Sequence, residues 1–236
     1  MTARRVPVRG LAEGERALDA DAARHLVRVL RFAPGDAFVA FDPAAHTESD
    51  AVLVASEGAV VARFSAPRPA AIVAGATRVW VHGLAKGDKC DAIARDATEL
   101  GATRVVFAPC ARSVAKPKDG AAKVERWSRV AAEAARQCGR ADPPVVELAA
   151  SWEAALASCA GARVCLHPAA QERLSALELS ADGPIAFAAG PEGGLTDDEL
   201  AIAERLGWSV RSLGSAVLRT ETVPAAVLGA LLVLGR

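Results

Sequence analysis

The stretch AAGPEGGLTDDEL, residues 188–200, joins an apolar run to the predicted start of a helix. The run PIAFAAG, residues 184–190, is typical of a buried strand. TDDE has the pattern of a capping box, with Thr196 as the N-cap and Glu199 three residues later. The glycines therefore lie in the turn between a strand and a helix, which is where open α/β sheets bind their ligands.

Three glycines in this turn allow a flat ligand to lie against the main chain and to use its N–H and C=O groups. The loop lacks the Lys-Ser/Thr pair of a P-loop, and its spacing is not the GxGxxG of a dinucleotide fold. The acidic run at 197–199 would repel a phosphate at this helix start. We therefore expect a neutral or cationic ligand, and an ordinary tight turn without a ligand is the alternative.

Two other predicted strands end in the same way. SVRSLG, residues 209–214, is followed by the polar cluster RTET at 219–222 and by a helix that tolerates Pro224 in its first turn. RVCLHP, residues 163–168, places His167 and Pro168 at the carboxyl end of a third strand. Because parallel strands end at the same edge of a sheet, we expect the three loops to converge on one pocket.

The pattern of predicted secondary structure changes near residue 70, which predicts two domains. Short alternating strands, at 37–42, 49–56 and 59–65, indicate a small all-β unit. After a predicted linker at 65–76, strands alternate with helical patterns, as a parallel α/β sheet requires. We place the domains at 1–68 and 76–236.

Composition excludes several classes of protein. The chain has 236 residues, of which 52% are hydrophobic, so it can bury a sizeable core. Its longest apolar run is too short to span a bilayer, and no apolar segment follows the basic N-terminus, so we expect a cytoplasmic protein. The five cysteines form no CxxC pair and the four histidines are dispersed, so no metal site and no disulfide framework are expected.

The net charge is zero, but the basic residues are segregated. Residues 1–35 carry seven arginines against four acids, and residues 104–140 carry nine basic residues against three acids. Residues 141–236 have six basic residues and twelve acids. This distribution is typical of a nucleic-acid footprint, with a solvated charged surface as the alternative.

The motifs GPEGGLTDDEL and LGSAVLRTET, with LHP, DATELGATRVVFAPCARSV and QCGR, closely resemble those of the RsmE-type ribosomal RNA methyltransferases of the SPOUT class. HLVRVLRFAPGD, residues 25–36, resembles the N-terminal RNA-binding barrel of that family, so the likeness covers nearly the whole chain. The resemblance implies a PUA-like β-barrel over 1–68. It also implies an α/β SPOUT domain over 76–236, with a parallel sheet and a C-terminal trefoil knot.

The resemblance also implies an activity. The family uses S-adenosyl-L-methionine to methylate N3 of one uridine in 16S ribosomal RNA, near the decoding centre of the small subunit. Its members work as homodimers, here on the 30S subunit or a late assembly intermediate, with no metal. A sulfonium cation tolerates acidic surroundings that a phosphate would not. A SPOUT enzyme with another RNA target and a non-catalytic ribosome-assembly factor are the alternatives.

Three loops match the cofactor-binding loops of the family. The residues implied to bind the cofactor are Leu166, His167, Pro168, Gly190, Pro191, Glu192, Gly193, Gly194, Leu213, Gly214, Val217 and Leu218.

N3 of uridine is a poor nucleophile until its proton leaves, so a base or a stabilising cation is required. Arg219 and Glu221 lie two apart, where an extended backbone would put both on one side. We expect Arg219 to stabilise charge on O2 and O4, and Glu221 to orient Arg219 or accept the proton. A purely structural ion pair is the alternative. His167 is a base by type but is expected to be structural, and Glu192 either binds the ligand or caps the loop.

The predicted RNA contacts position the phosphate backbone. In the first domain they recur at helical spacing, and in the second they follow a strand: Arg24, Arg28, Arg31, Arg112, Lys116 and Lys118. Three positions depart from the family pattern: Arg95-Asp96, Arg136 and Val223-Pro224. The first two lie at expected substrate contacts.

The last helix, VPAAVLGALLVLG, is apolar on nearly every side, which predicts burial in a two-fold interface.

Overall fold

A computed structural model describes residues 4–114, 119–177 and 183–234. The chain divides into two compact units. The first consists of Met1–Val73 and Ala135–Pro143, and the second of Ala74–Ala134 and Pro144–Arg236.

The first unit is built on a six-stranded sheet with the order β1-β3-β4-β5-β2, in which β6 pairs with β4. β1 runs parallel to β3, and the other described pairs are antiparallel. One face of the sheet buries a core that includes Phe38, Leu53 and Phe64. The strands are β1 (Arg5–Pro7), β2 (Gly14–Ala17), β3 (Ala37–Asp42), β4 (Thr47–Val54), β5 (Val61–Phe64) and β6 (Arg68–Pro69).

The predicted strands of this unit are confirmed as β3, β4 and β5, but three more strands were missed. β1, β2 and β6 have two to four residues each, which is too short for a clear alternation of apolar and polar positions. β6 lies within the predicted linker at 65–76, where its pairing with β4 replaces the expected connection.

A short helix completes the first unit. α1 (Ala20–Arg24) begins at the N-cap Asp19 and continues directly into a π-helical turn, His25–Val29, which buries Leu26. Arg31 follows in the left-handed region, with φ 57°. The predicted helical face of Arg24, Arg28 and Arg31 is therefore wrong as geometry, because the π-turn changes the spacing and Arg31 lies outside the helix. All three arginines are exposed.

The second unit contains a six-stranded parallel sheet with the order β12-β10-β11-β7-β8-β9. The predicted parallel α/β fold is confirmed, although β9 and α4 were not predicted. The strands are β7 (Arg78–Gly83), β8 (Arg104–Ala108), β9 (Val145–Leu148), β10 (Ala162–Leu166), β11 (Ile185–Ala189) and β12 (Ser209–Arg211). The helices are α2 (Lys89–Glu99), α3 (Gly120–Cys138), whose residues from Ala135 onward belong to the first unit, α4 (Trp152–Ala157), α5 (Asp197–Arg205) and α6 (Thr222–Val233).

Helices cover both faces of this sheet, so its central strands bury apolar residues on both sides. In β7, Trp80 belongs to one core, while Val79 and Val81 belong to the other. The core around Trp80 includes residues of α2, α3 and α6, and the opposite core includes residues of α4 and α5. The capping box of α5 is confirmed, with Thr196 and Glu199 in the predicted roles.

The last helix, α6, is partly buried within its own unit. Val227, Leu228 and Leu231 pack into the core around Trp80, whereas Leu232 and Val233 are 54% and 86% exposed. Leu231 is therefore unsuitable as a test position for an interface, because a charge there would disrupt the core of the unit. Within the described ranges, no helix has the length and apolar character to cross a membrane.

Candidate active site

Three loops follow the carboxyl ends of three neighbouring parallel strands. β10 lies between β12 and β11, so the loops after Leu166, Ala189 and Arg211 leave the same edge of the sheet. Ligands of open α/β sheets bind at this edge. The expected convergence of the three loops is therefore what the structure shows.

The loops enclose a cleft of about 350 Å³. Every residue that the sequence assigned to the cofactor lines this cleft. Seven further residues line the cleft that the sequence analysis did not assign to the cofactor: Arg112, Ala169, Ala189, Leu195, Ala216, Thr220 and Val223. Most of these are small or apolar residues beside predicted positions, where a broader view of each loop would have included them.

The glycines of the loop at 190–195, called the glycine loop below, are required by contacts within the chain. A Cβ on Gly190 would lie 2.9 Å from Leu195 Cγ, and a Cβ on Gly193 would lie 2.8 Å from Arg112 Cβ. Gly194 adopts φ +73°, which disfavours other residues. A side chain at Gly193 would therefore collide with Arg112.

The glycine loop also packs against the end of β7. A Cβ on Gly83 would lie 2.8 Å from the backbone nitrogen of Pro191, so glycine is needed where the two segments meet. The sequence analysis considered three strand ends, and β7 supplies a fourth. Its position beside β11 explains the contact.

Arg112 holds the glycine loop from another side. Its Nη1 donates hydrogen bonds of 3.1 Å each to the carbonyls of Gly193 and Leu195. The side chain is otherwise exposed, so its predicted contact with RNA stays a prediction. Lys116 and Lys118, predicted in the same role, lie outside the described residues.

The acidic start of α5 is partly used in the fold. Glu199 is 7% exposed, and its carboxylate accepts hydrogen bonds from the backbone nitrogens of Ala111 and Thr196 at 2.8 and 2.9 Å. Glu199 thus connects the loop after β8 to the end of the glycine loop.

The RTET cluster at 219–222, called the RTET turn below, is not extended. The backbone nitrogen of Thr222 donates to the carbonyl of Arg219 at 2.9 Å, and Glu221 has helical angles of φ −70° and ψ −18°. The expected extended placement of Arg219 and Glu221 is therefore wrong, because the chain already turns into α6. Arg219 is exposed, and no partner of its side chain is found among the described residues.

Lys89 is a functional candidate that the sequence analysis missed. Its Nζ lies 3.1 Å from Glu192 Oε1 and 3.3 Å from Glu221 Oε2, so it bridges the glycine loop and the RTET turn. The hydrogen bond to Glu192 raises the pKa of Lys89, and Glu221 adds to this effect. Its position in the segment after β7 was the available signal, since β7 ends at the same edge of the sheet.

Glu192 has the contacts expected of a loop cap. Its Oε1 accepts a hydrogen bond of 3.0 Å from the backbone nitrogen of Lys86, in addition to the contact with Lys89. Burial raises the pKa of Glu192, but backbone hydrogen bonds and Lys89 together outweigh it, and the pKa lies below its usual value. Glu192 also lines the cleft, so a ligand contact remains open to it.

A chain of three hydrogen bonds, two of them buried and the last partly buried, leads to the wall of the cleft. Trp80 Nε1 donates to His82 Nδ1 at 3.0 Å, His82 Nε2 lies 2.8 Å from Thr220 Oγ1, and Thr220 Oγ1 donates to the Gly190 carbonyl at 2.8 Å. Burial lowers the pKa of His82 to about 3, although the charge of Glu192 acts in the opposite direction. The imidazole is therefore neutral at physiological pH.

His167 takes part in the fold through its backbone. Its nitrogen donates to the carbonyl of Arg211 at 2.9 Å, which extends the pairing of β10 and β12 into the loops. The side chain is half-buried at the cleft.

Of the departures noted in the sequence, Arg95 and Asp96 pair with each other at 2.7 Å on α2. No group of His, Cys, Asp and Glu suited to a metal ion occurs in the described part of the chain.

Comparison with known proteins gives two family matches. The RNA methyltransferase domain family matches residues 77–232, and the RNA methyltransferase PUA domain family matches residues 18–48. The first match covers the sheet that carries the cleft, and the second covers part of the first unit.

Several solved structures share the fold. A putative methyltransferase from Legionella pneumophila, in complex with the bound cofactor SAM, superposes with a TM-score of 0.87 at 23% identity, covering 99% of this chain and 98% of that one. A Ribosomal RNA small subunit methyltransferase E from Neisseria gonorrhoeae, bound to S-adenosyl methionine, gives 0.85 at 23% identity, with 98% of each chain covered.

Two curated relatives share a higher sequence identity with this chain than these solved structures do. The Ribosomal RNA small subunit methyltransferase E of Mycobacterium bovis is 34% identical over 232 residues, covering 92% of this chain and 86% of the relative. The protein of the same name from Synechocystis is 31% identical over 221 residues, covering 86% of this chain and 68% of the relative. These relatives and the family match over residues 77–232 show that this chain belongs to the ribosomal RNA small subunit methyltransferase E family of RNA methyltransferases.

Proposed function

We propose that this protein transfers a methyl group from S-adenosyl-L-methionine to N3 of one uridine in 16S ribosomal RNA, near the decoding centre of the small subunit. The observation that carries the proposal is the cleft at the ends of β10, β11 and β12, where the glycine loop lies beside the RTET turn. Membership of the methyltransferase family supports the class of reaction, and the names of the relatives support small-subunit ribosomal RNA as the substrate.

The residues of the cleft fit this cofactor. Its volume of about 350 Å³ is within the range of small-molecule sites. The main chain of the glycine loop and the side chains of Leu166, Leu213 and Val217 suit an adenosine, and the carboxylate of Glu192 suits a cation. When bound, the cofactor would supply an electrophilic methyl group. The protein's task is then to align the acceptor and to manage one proton.

Arg219 is proposed as the residue that activates N3. Loss of the N3 proton leaves negative charge on O2 and O4 of the base, and a guanidinium beside these atoms would stabilise it. Arg219 is exposed next to the cleft-lining residues Leu218 and Thr220, so its charge is accessible to a substrate.

Glu221 is proposed to accept the N3 proton, with orientation of Arg219 as the alternative role. The described ion pair of Glu221 is with Lys89, which favours the first role and disfavours an Arg219–Glu221 ion pair as the purpose of the turn. His167 lines the cleft and is the alternative base.

RNA binding is proposed for both predicted domains, residues 1–68 and residues 76–236. In the first, the exposed side chains of Arg24, Arg28 and Arg31 would contact phosphates, although they do not form one helical face. In the second, Arg112, Lys116 and Lys118 would do so. Such contacts fix the register of the RNA without reading its bases.

We further propose that the protein acts in the cytoplasm as a homodimer on the 30S subunit or a late assembly intermediate, with its C-terminal segment threaded as a trefoil knot. The exposed apolar end of α6, Leu232 to Leu234, supports the dimer, because such residues favour a partner surface over water.

Mapping of modified nucleotides in 16S ribosomal RNA tests the function. A strain without the gene is compared by mass spectrometry with strains that carry the wild-type gene or an Arg219→Ala variant. We expect one methyluridine to disappear with the gene and to return only with the wild type. A methyl group lost elsewhere would identify another RNA target. An unchanged map with impaired assembly of the subunit would identify a non-catalytic assembly factor.

A further inference from the structure

The hydrogen bonds that link Trp80, His82, Thr220 and Gly190 can run in only one order of donors and acceptors. Trp80 Nε1 is only a donor, so His82 Nδ1 has to accept and carries no proton. A neutral imidazole then has its proton on Nε2, which donates to Thr220 Oγ1. The hydroxyl proton of Thr220 is thereby directed to the Gly190 carbonyl. Each donor meets one acceptor, and no other arrangement satisfies all three contacts.

This chain connects the two halves of the candidate active site. Gly190 is the first residue of the glycine loop, and Thr220 is the second residue of the RTET turn, between Arg219 and Glu221. His82 lies on β7, directly beside Ala189 of β11, so the sheet fixes the position of its ring. The Thr220 hydroxyl group therefore links the turn directly to the loop.

We propose that His82 is a positioning residue for methyl transfer, which through Thr220 holds the RTET turn at a fixed distance from the glycine loop. This inference rests on the proposed function. His82 is fully buried and does not line the cleft, so it acts through Thr220 and does not touch the substrate.

A second connection between the same segments, through Lys89, is weaker. The side chains of Lys89, Glu192 and Glu221 are 31%, 30% and 23% exposed, so water and salt screen their attraction. The hydrogen bond between His82 and Thr220 is buried, so an unpaired Nε2–H there has no water to replace its partner, while the bond from Thr220 to the Gly190 carbonyl is partly buried. The buried contact between His82 and Thr220 is therefore expected to dominate the placement of the turn.

Removal of the Thr220 hydroxyl tests the inference. Thr220→Val keeps the shape of the side chain but leaves His82 Nε2–H and the Gly190 carbonyl unpaired. We expect the rate at saturating cofactor and RNA to fall roughly tenfold to a hundredfold, since a misplaced turn lowers the reactive fraction. Thr220→Ser restores the hydroxyl and should recover most of the lost rate. His82→Leu should behave like Thr220→Val, and His82→Gln, which retains an N–H donor, should recover part of the rate.

Thr98→Val is the matched control. The Thr98 hydroxyl is also buried and donates to a carbonyl, that of Ala94 within α2, but Thr98 lies outside the cleft. This variant should lose stability to urea with an unchanged rate of transfer. The full-length variants are compared by single-turnover transfer to 30S subunits, calorimetry with S-adenosyl-L-methionine and urea unfolding.

The protonated nitrogen of His82 is identified independently by ¹⁵N NMR of the wild type, and we expect Nε2. A proton on Nδ1 would overturn the inference, as would a folded Thr220→Val protein with the wild-type rate. A wild-type protein that transfers no methyl group would overturn the proposed function together with it. An active wild type with an equally active Thr220→Val variant overturns this inference alone.

Discussion

The glycine loop and the segment 213–219 border the same cleft, but the chain holds only the first of them tightly. Arg112 donates two hydrogen bonds to the glycine loop, and Gly190 and Gly193 are in close contact with Leu195 and Arg112. In the segment 213–219, Val217 is 76% exposed, and Leu213 and Leu218 are each more than a third exposed.

The difference indicates separate tasks for the two sides. A side that is already ordered binds its ligand without a further loss of conformational entropy. A side with exposed apolar residues gains stability when a ligand, RNA or second subunit covers them. We therefore expect the glycine loop to offer the cofactor a preformed surface, and the segment 213–219 to gain order when cofactor and substrate cover it. Arg219→Ala and Gly193→Ala test this difference directly.

Arg219→Ala should have the largest effect. The rate of methyl transfer should fall about 100- to 1000-fold, because the variant loses the cation that is proposed to stabilise the developing charge. Calorimetry should give an unchanged affinity for S-adenosyl-L-methionine. Arg205→Ala, which removes a surface ion pair with Glu153, is the control and should keep the wild-type rate. A wild-type rate in Arg219→Ala would contradict the proposed role of Arg219.

Gly193→Ala tests the ordered side. The new Cβ would lie 2.8 Å from Arg112 Cβ, so the glycine loop has to move and the affinity for the cofactor should fall at least about tenfold. Gly75→Ala is the matched control, since a Cβ at Gly75 has no neighbour within 4 Å. Equal affinities of the two variants, measured by calorimetry, would show that the loop tolerates displacement.

Two adjacent leucines of α6 separate folding from assembly. Leu231 is 6% exposed, so Leu231→Asp should lower the free energy of unfolding by about 3 kcal/mol or more. Leu232 is 54% exposed, so Leu232→Asp should leave the fold intact and shift light scattering towards the monomer. A dimer that survives Leu232→Asp would place the interface elsewhere.

The stability of the second unit should depend on pH through His82. Burial lowers the pKa of His82 in the folded state from 6.5 to about 3, so the unfolded chain binds more protons between these values. Neutral, buried His82 therefore makes its full contribution to stability above pH 6.5. Below pH 6.5 the free energy of unfolding should fall by up to about 1.4 kcal/mol per pH unit.

Tryptophan fluorescence during urea unfolding measures this effect, because Trp80, Trp127, Trp152 and Trp208 all belong to the second unit. His82→Gln should abolish the slope between pH 6.5 and about 5, above the usual range of carboxyl pKa values. Glu192, the charged group that acts on His82, stays ionised there because its pKa is lowered. A slope that persists in His82→Gln would assign the effect to another group.

Lys89→Gln should have the smallest effect. Its ion pairs with Glu192 and Glu221 are partly exposed, so their loss should lower the free energy of unfolding only slightly, and less at high salt. The transfer rate should fall less than in Thr220→Val. A larger loss in Lys89→Gln would make the exposed connection the dominant one.

Much of the site followed from local patterns and one rule of sheet geometry. The capping box of Thr196 and Glu199 was correct because it depends on residues only three apart. The three loops met because parallel strands end at the same edge. The predicted extended shape of the RTET turn was not correct, because a short polar cluster carries no signal for where the following helix starts.

The π-turn at His25–Val29 gives a second example, in the first unit, of a conformation that local sequence did not predict. Its arginines have helical spacing in the sequence, but burial of Leu26 against the sheet and the left-handed Arg31 change their directions. Packing between distant segments overrode the local period there.

The sequence by itself determined the class of fold, the family and the set of residues around the cleft, because periodicity, capping patterns and motifs are properties of neighbouring residues. Only the tertiary structure decided which groups hold these residues in place. His82 and Thr220 are 138 residues apart, and they meet because β7 pairs with β11. Lys89 reaches Glu192 and Glu221 for the same reason. Such contacts depend on the order of strands in the sheet, which no local stretch of sequence contains.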